Sequence, residues 1–93
     1  MYYVYVLRSE KDGMFYVGFT ADLKKRISEH NNGEVISTRN RQPLKFMYYE
    51  VSLNKYDALH REKYLKTAYG KRYIKNRLKN QLEDSISRVG PNC

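Results

Sequence analysis

Cysteine and tryptophan are nearly absent from this chain of 93 residues, which has one cysteine and no tryptophan. Because Cys93 has no partner in the chain, an intramolecular disulfide and a zinc site built on cysteines are excluded. The apolar runs span only a few residues, and no charged segment followed by an apolar stretch opens the chain. We therefore expect no membrane span, no secretion signal and a cytoplasmic location.

Acidic residues are scarce, since 10 stand against 18 lysines and arginines, and the formal net charge is +8. Such a surplus favours a polyanion as the partner, although basic composition can also serve solubility alone. The charge is clustered rather than even, which favours nucleic acid. The candidate phosphate-binding residues are Lys24, Lys25, Arg39, Arg41, Arg61, Lys66, Lys71 and Arg72.

Three segments have the aromatic and β-branched composition of strands. Met1–Leu7 is apolar on both faces, which is typical of a central strand that is covered on each side. Ser9–Gly13 ends in Asp-Gly, a hairpin signal, and Met14–Phe19 follows as the second strand. Leu44–Val51 alternates well enough to be the third strand.

The first predicted helix follows the second strand. Thr20 or Asp22 can cap it, and it runs to about Asn31. Leu23 and Ile27 are four residues apart, so we expect them to form its core-facing pair.

Two more helices are predicted after the third strand. Lys55–Ala68 is capped by Asn54 and ended by Gly70, and Lys71–Leu82 follows. The order β-β-α-β-α-α predicts an α+β fold, with a small antiparallel three-stranded sheet flanked by helices. We expect one domain over residues 1–82 and a polar, flexible tail over 83–93.

Polar side chains that could take part in catalysis lie on the first two predicted strands and the first predicted helix. Tyr5 and Tyr16 lie on neighbouring strands, where ordinary cross-strand aromatic packing is the alternative interpretation. Arg26 and His30 are four residues apart and share a helix face. Arg26 can also be a surface cation, and His30 can simply interact with the helix dipole.

Glu62 is the single acid between Arg61 and Lys79. Its spacing from Leu59 and Leu65 places its carboxylate on or beside the core-facing stripe, where an unpaired charge is costly. An ion pair with Lys66 is the ordinary explanation. A lone carboxylate among cations also suits Mg²⁺, which needs few protein ligands.

Taken in order, these residues resemble the GIY-YIG nuclease superfamily. The motifs YVY at residues 3–5 and YVG at residues 16–18 match the two strand motifs that carry the family's tyrosines. Arg26 matches its helical arginine. Glu62 matches its metal-binding glutamate, in the context Ala-Leu-x-x-Glu. The resemblance covers roughly Met1–Lys79 and is close to small single-domain members.

The resemblance implies an endonuclease that hydrolyses phosphodiester bonds in DNA with Mg²⁺ or Mn²⁺, with RNA left open and no small-molecule cofactor. Glu62 would hold a single metal ion, and Arg26 would neutralise charge on the phosphoryl oxygens. Tyr5 and Tyr16 would position or deprotonate the attacking water, and His30 competes for that proton.

Two other interpretations stay open. A non-catalytic nucleic-acid-binding domain on the same scaffold is favoured by Phe19, which stands where some relatives carry a lysine. A structural protein of a ribonucleoprotein explains the charge, but it does not explain why the tyrosines, the arginine and the glutamate occur together.

Overall fold

Tyr2–Ser9 forms the central strand, β1, because both of its faces are apolar and can be covered. Phe15–Thr20 (β2) and Leu44–Ser52 (β3) pair with it on either side, and both pairings are antiparallel. The sheet order β2-β1-β3 confirms the predicted central strand. The computed structural model describes residues 1–82, and the tail predicted for 83–93 lies outside the described residues.

The hairpin between β1 and β2 is closed by the hydroxyl of Ser9, which is fully buried. This hydroxyl accepts hydrogen bonds from the backbone amides of Lys11 and Asp12, at 3.1 and 3.2 Å. Gly13 adopts a φ of +74°, a conformation that favours glycine. The Asp-Gly pair therefore marks this turn as predicted.

The helices begin where capping side chains stand. Asp22 accepts from the amide of Lys25, and Asn54 accepts from the amides at the start of the second helix. The predicted α+β order is confirmed, with a short 3-10 helix added before the third strand. The helices are α1 (Leu23–Asn31), the 3-10 helix (Arg39–Arg41), α2 (Lys55–Leu65) and α3 (Ala68–Arg77).

The main core lies on one face of the sheet, under α2 and α3. Val4 and Val6 of β1 point to this face, and side chains alternate along a strand. Tyr5 and Leu7 therefore point to the opposite face, where α1 lies. The buried core cluster consists of Val4, Val6, Val17, Met47, Ala58, Leu65, Ile74 and Leu78.

The expected role of Gly70 as a helix breaker is wrong. Helix α2 ends at Leu65, Thr67 caps α3, and Gly70 lies inside α3. A Cβ atom at Gly70 would lie 2.3 Å from the carbonyl oxygen of Tyr64 and 2.4 Å from Cα of Leu65. Glycine is therefore required here for the close approach of two helices, and it does not end one.

We expect Gly70→Ala to destabilise the fold by about 1–3 kcal/mol, because the new methyl group meets backbone atoms that cannot move aside. The usual effect of this substitution inside a helix is the opposite, a gain of about 1 kcal/mol. Urea unfolding of Gly70→Ala and of Lys71→Ala, an exposed neighbour, measures the difference. A Gly70→Ala variant as stable as the wild type would show that α2 and α3 are not in close contact.

The expectation that Leu23 and Ile27 form the buried pair of α1 is also wrong. Both are only partly buried, and they line an open pocket. The buried residue of α1 is His30. Helix α1 thus buries a polar side chain, because the hydroxyls of Tyr5 and Thr38 form hydrogen bonds with it.

Candidate active site

The phenol of Tyr5 is the centre of the candidate site, and its side chain is almost fully buried, with 1% exposed. Gly18 is its partner in the strand register. A Cβ atom at Gly18 would lie 2.3 Å from the Tyr5 hydroxyl oxygen, so only glycine leaves room for this ring. The group that approaches Gly18 closely is therefore the Tyr5 side chain.

A chain of hydrogen bonds runs inward from Tyr5. Its hydroxyl lies 2.7 Å from Nε2 of His30, and Nδ1 of His30 lies 2.7 Å from Oγ1 of Thr38. A neutral imidazole has one donor and one acceptor nitrogen, and both are used here. His30 and Thr38 are fully buried, so the ring is held in one orientation.

Burial, and to a smaller extent the positive charge of Arg26, lower the pKa of His30 to about 4. The negative charge of Glu29 opposes this shift. The imidazole is therefore neutral at pH 7. It is a ready hydrogen-bond acceptor or donor, and it does not carry a charge into the interior.

Burial also raises the pKa of Tyr5 to about 12. A hydrogen bond from Arg26 and its charge oppose the shift, while Tyr16 and Glu62 add to it. The phenol of Tyr5 thus interacts with each of the other groups that the sequence singled out. In the free protein its proton stays on the oxygen.

Tyr16 packs beside this pair from β2. Its ring centroid lies 6.4 Å from that of Tyr5 and 5.2 Å, edge on, from that of His30. Its hydroxyl accepts a hydrogen bond from Ser37 at 3.4 Å. Tyr16 is only partly buried, so its phenol is the more accessible of the two.

Arg26 stands one helical turn before His30 on α1. Its guanidinium donates to Glu29 at 3.1 Å, and both side chains are partly exposed. The hydrogen bond with Tyr5 and the one with Glu29 raise the pKa of Arg26. The result is a fixed positive charge at the edge of the buried phenol.

Glu62 approaches the same phenol from α2 and forms the ion pair with Lys66 that the sequence allowed, at 3.2 Å. Its carboxylate side chain is 19% exposed, against 55% for Lys66. Within residues 1–82, no group of three or more His, Cys, Asp or Glu side chains could hold a metal ion. Mg²⁺, however, is often bound by one or two carboxylates together with substrate phosphates. Glu62 fits that mode, and it does not fit an all-protein cage.

A model of a protein family, described as the GIY-YIG catalytic domain, matches residues 1–79. The chain belongs to the GIY-YIG family. It is also similar to a UPF0213 protein of Clostridium perfringens (strain 13 / Type A), with 48% identity over 67 residues that cover 71% of each chain. A UPF0213 protein of Staphylococcus saprophyticus is 40% identical over 67 residues, 71% of this chain and 80% of that protein. The solution NMR structure of a UPF0213 protein from Bacillus halodurans is 31% identical, with a TM-score of 0.42 over 99% of this chain and 90% of that one.

The family match confirms the resemblance drawn from the two motifs. A GIY-YIG domain is of the nuclease type and implies nucleic-acid binding. In residues 1–82, none of the helices is long and apolar enough to cross a membrane.

The predicted phosphate-binding cations of this GIY-YIG domain fall into two groups. Arg41 and Arg61 are partly exposed and are engaged by acidic partners: Arg41 pairs with Asp12 at 3.0 Å, and Arg61 makes two hydrogen bonds to Glu50 at 2.8 and 3.0 Å. Arg61 also lies over the rings of two tyrosines. The exposed cations are Lys24, Lys25, Arg39, Lys66, Lys71 and Arg72.

Neither Thr38 nor Ser37 is marked by a motif in the sequence. Both lie in a segment without hydrophobic periodicity, so nothing in the pattern indicates that Thr38 is buried. In hindsight, two adjacent hydroxyls in a basic loop are the available signal. Thr38 forms a hydrogen bond with His30 and Ser37 donates one to Tyr16, so each contacts a predicted residue of the candidate site.

The buried His30 makes the stability of the fold depend on pH. Its pKa is about 4 in the native state and 6.5 in an unfolded chain, so between these values only the unfolded state gains the proton. We expect stability to be fully present above pH 6.5 and to fall by up to roughly 3 kcal/mol as the pH drops to 4. Urea unfolding across this range measures the loss.

The control uses the second histidine, His60, which is exposed. His60→Gln should keep the wild-type loss between pH 6.5 and 4, whereas His30→Gln should remove most of it. NMR titration of the His30 ring in the wild-type protein is independent of any variant's folding. A His30 ring that titrates near pH 6.5 would contradict the buried neutral imidazole.

Proposed function

We propose that this GIY-YIG domain is a metal-dependent endonuclease that hydrolyses phosphodiester bonds in DNA. The observation that carries the proposal is the surroundings of one hydroxyl. The Tyr5 phenol has a neutral imidazole 2.7 Å away, a guanidinium as hydrogen-bond donor and a carboxylate within electrostatic reach. A proton acceptor, a cation and a carboxylate thus all act on one phenol.

Arg26 binds the phosphate. Its guanidinium is a permanent cation whose donors match phosphoryl oxygens, and negative charge grows on those oxygens as water attacks phosphorus. Part of its hydrogen-bonding capacity is used by Glu29. This contact orients the side chain and leaves the remaining N–H groups to the substrate.

Tyr5 and His30 handle the proton. As the water oxygen bonds to phosphorus and the ester P–O bond breaks, the water proton passes to the Tyr5 oxygen and the phenol proton passes to Nε2 of His30. Both ring nitrogens of His30 are occupied, by the Tyr5 hydroxyl and by Thr38, so His30 acts through Tyr5. The bound phosphate raises the pKa of His30, which favours this transfer.

Glu62 is the residue that would hold Mg²⁺ or Mn²⁺, together with oxygens of the substrate. A bound divalent ion supplies positive charge for the leaving oxygen and lowers the pKa of neighbouring acids. Tyr16 is placed to orient the attacking water, because its phenol is partly exposed beside Tyr5.

The direct test is a cleavage assay on a panel of DNA substrates that includes duplex, single-stranded, flap and junction forms, and matched RNAs. We expect cleavage with Mg²⁺ or Mn²⁺ and none with EDTA. Intact substrates under every condition, with binding that weakens steeply as salt rises, would instead support a non-catalytic nucleic-acid binder.

That second candidate has a specific observation in its favour. Phe19 stands at the position after the second motif where some GIY-YIG relatives carry a lysine. The side chain of Phe19 stacks on Tyr2 at a centroid distance of 6.1 Å, so it serves packing. The cleavage assay separates the two candidates because only the endonuclease requires a metal ion.

A further inference from the structure

An open pocket of about 570 Å³ lies between α1 and the β3 side of the sheet. None of the side chains with a role in the proposed hydrolysis lines this pocket. Here Leu23 and Ile27, expected in the core, are partly accessible. We call it the aromatic pocket, and its main lining residues are Tyr3, Leu23, Lys24, Ile27, Phe46 and Tyr49.

Three neighbouring aromatic rings line this pocket, two of them nearly parallel and the third tilted by 51°. Phe46 and Tyr49 are stacked, with centroids 5.9 Å apart and an interplanar angle of 22°, and Tyr3 lies 6.2 Å from Tyr49. Phe46 is 40% exposed and Tyr49 is 48% exposed. Rings that support one another and face solvent can stack with a further planar group.

The aromatic pocket adjoins the proposed active site. Tyr49 is the register partner of Tyr5 in the β1–β3 pairing. Directly opposite residues share a face of the sheet, with Cβ atoms about 4.5–5.5 Å apart. Arg26 of the site lines a second pocket, which shares Ala21 and Asp22 with the aromatic pocket. A nucleic-acid strand held by its phosphate at Arg26 therefore brings an adjacent nucleotide to the aromatic pocket.

We propose that the aromatic pocket binds an unpaired nucleobase next to the cleaved bond, so that the domain prefers single-stranded or locally unpaired nucleic acid to continuous duplex. Bases in a duplex are stacked on their neighbours and offer only their edges, whereas an unpaired base offers its face. The inference rests on the proposed function in so far as nucleic acid is the ligand.

The charge of the pocket favours a nucleotide over a second copy of this chain. Lys24 stands at its rim, and the one acid in its lining, Asp22, uses its carboxylate to cap α1. Two copies would each carry a net charge of +8, which opposes their association. A strand that carries phosphates meets attraction at the same place.

Fluorescence of oligonucleotides carrying 2-aminopurine tests the proposal, because this base loses fluorescence when it stacks. The wild-type protein is mixed, in EDTA, with a single-stranded oligonucleotide and with a hairpin duplex of equal length and charge. We expect tighter binding and stronger quenching for the single strand. Tyr49→Leu should weaken single-strand binding by about 5- to 150-fold, the range for losing one stacked base, and should leave duplex binding unchanged.

Two matched variants isolate stacking from other effects. Tyr49→Phe keeps the aromatic face and should bind like the wild type, whereas Tyr56→Leu removes a tyrosine that is 76% exposed and lies outside the pocket lining, and should change nothing. Equal losses on both oligonucleotides, or no loss for Tyr49→Leu, would overturn the proposal. A dimer in sedimentation that dissociates in the Tyr49→Leu variant would overturn the proposal, because it would show that the pocket binds a second copy of this chain.

The binding experiment needs no cleavage, so its result is separate from that of the hydrolysis assay. Selective single-strand binding without cleavage in Mg²⁺ or Mn²⁺ would reject the endonuclease and keep the pocket. Cleavage of duplex and single strands at equal rates, with equal binding, would reject the pocket and keep the endonuclease.

Discussion

Replacing Glu62 with Gln is expected to reduce metal-dependent DNA cleavage by about a thousandfold or more. The amide keeps the size of the side chain but removes the charge that would bind the metal ion. Metal stabilisation of the transition state is worth several kcal/mol, and each 1.36 kcal/mol is about tenfold in rate. The quantity to measure is kcat/KM over a series of Mn²⁺ concentrations, alongside urea unfolding.

Lys66→Gln is the matched control for this prediction. It breaks the same ion pair with Glu62, at 3.2 Å, but leaves the carboxylate in place. A partly exposed pair of this kind contributes about 0–1 kcal/mol to stability, so the Lys66→Gln fold should persist. Lys66 is also a predicted phosphate-binding residue, so any loss in Lys66→Gln should appear in KM and leave the dependence on Mn²⁺ unchanged. If Glu62→Gln cleaves DNA as fast as the wild type, or keeps the wild-type dependence on Mn²⁺ concentration, Glu62 is not the metal ligand.

Tyr5→Phe is expected to lower kcat by about 10²–10⁴-fold with little change in DNA binding, because it deletes the atom that accepts the water proton. The ring still fills its buried position opposite Gly18. However, Nε2 of His30 loses its partner, which costs about 1–3 kcal/mol of stability. Single-turnover cleavage and binding in EDTA measure the two effects separately.

The pH dependence gives Tyr5→Phe a second readout. Because the relay uses a protonated Tyr5 phenol, with a pKa of about 12, and a neutral His30 imidazole, with a pKa of about 4, the wild-type rate should stay nearly constant above neutrality, whereas the residual rate of Tyr5→Phe should rise with pH as hydroxide replaces the relay. Tyr16→Phe removes the neighbouring phenol, and we expect a smaller loss and an unchanged pH profile. The reverse result would assign the proton to Tyr16.

Much of the fold could be predicted because local signals agree with the tertiary structure. The apolar faces of β1 indicated its central position, and Asp22 and Asn54 marked two helix starts through their capping side chains. The spacing of Tyr5 and Tyr16 was informative because a hairpin connects their strands. Each signal lies within a few residues of the feature it predicts.

The rest depended on contacts between distant segments. A glycine between two predicted helices usually marks a helix end, and only the close approach of Gly70 to α2 explains its position inside α3. The burial of His30 depends on its hydrogen bond with Thr38, and the segment around Thr38 has no hydrophobic periodicity. The engagement of Arg61 by Glu50 joins α2 to β3 and cannot be seen from a run of positive charge. Sequence spacing could suggest which side chains matter, but it could not identify their partners.

The distribution of the proposed site along the chain has a consequence for protein synthesis. Tyr5, Tyr16, Arg26 and His30 all lie within the first 31 residues, whereas Glu62 belongs to α2, after the third strand. A chain leaves the ribosome with its N-terminal part first. A nascent chain that ends before α2 contains the residues proposed to bind the phosphate and to transfer the proton, but it lacks the carboxylate of Glu62. On the proposed mechanism, the capacity to cleave DNA therefore arises only after synthesis has passed residue 62.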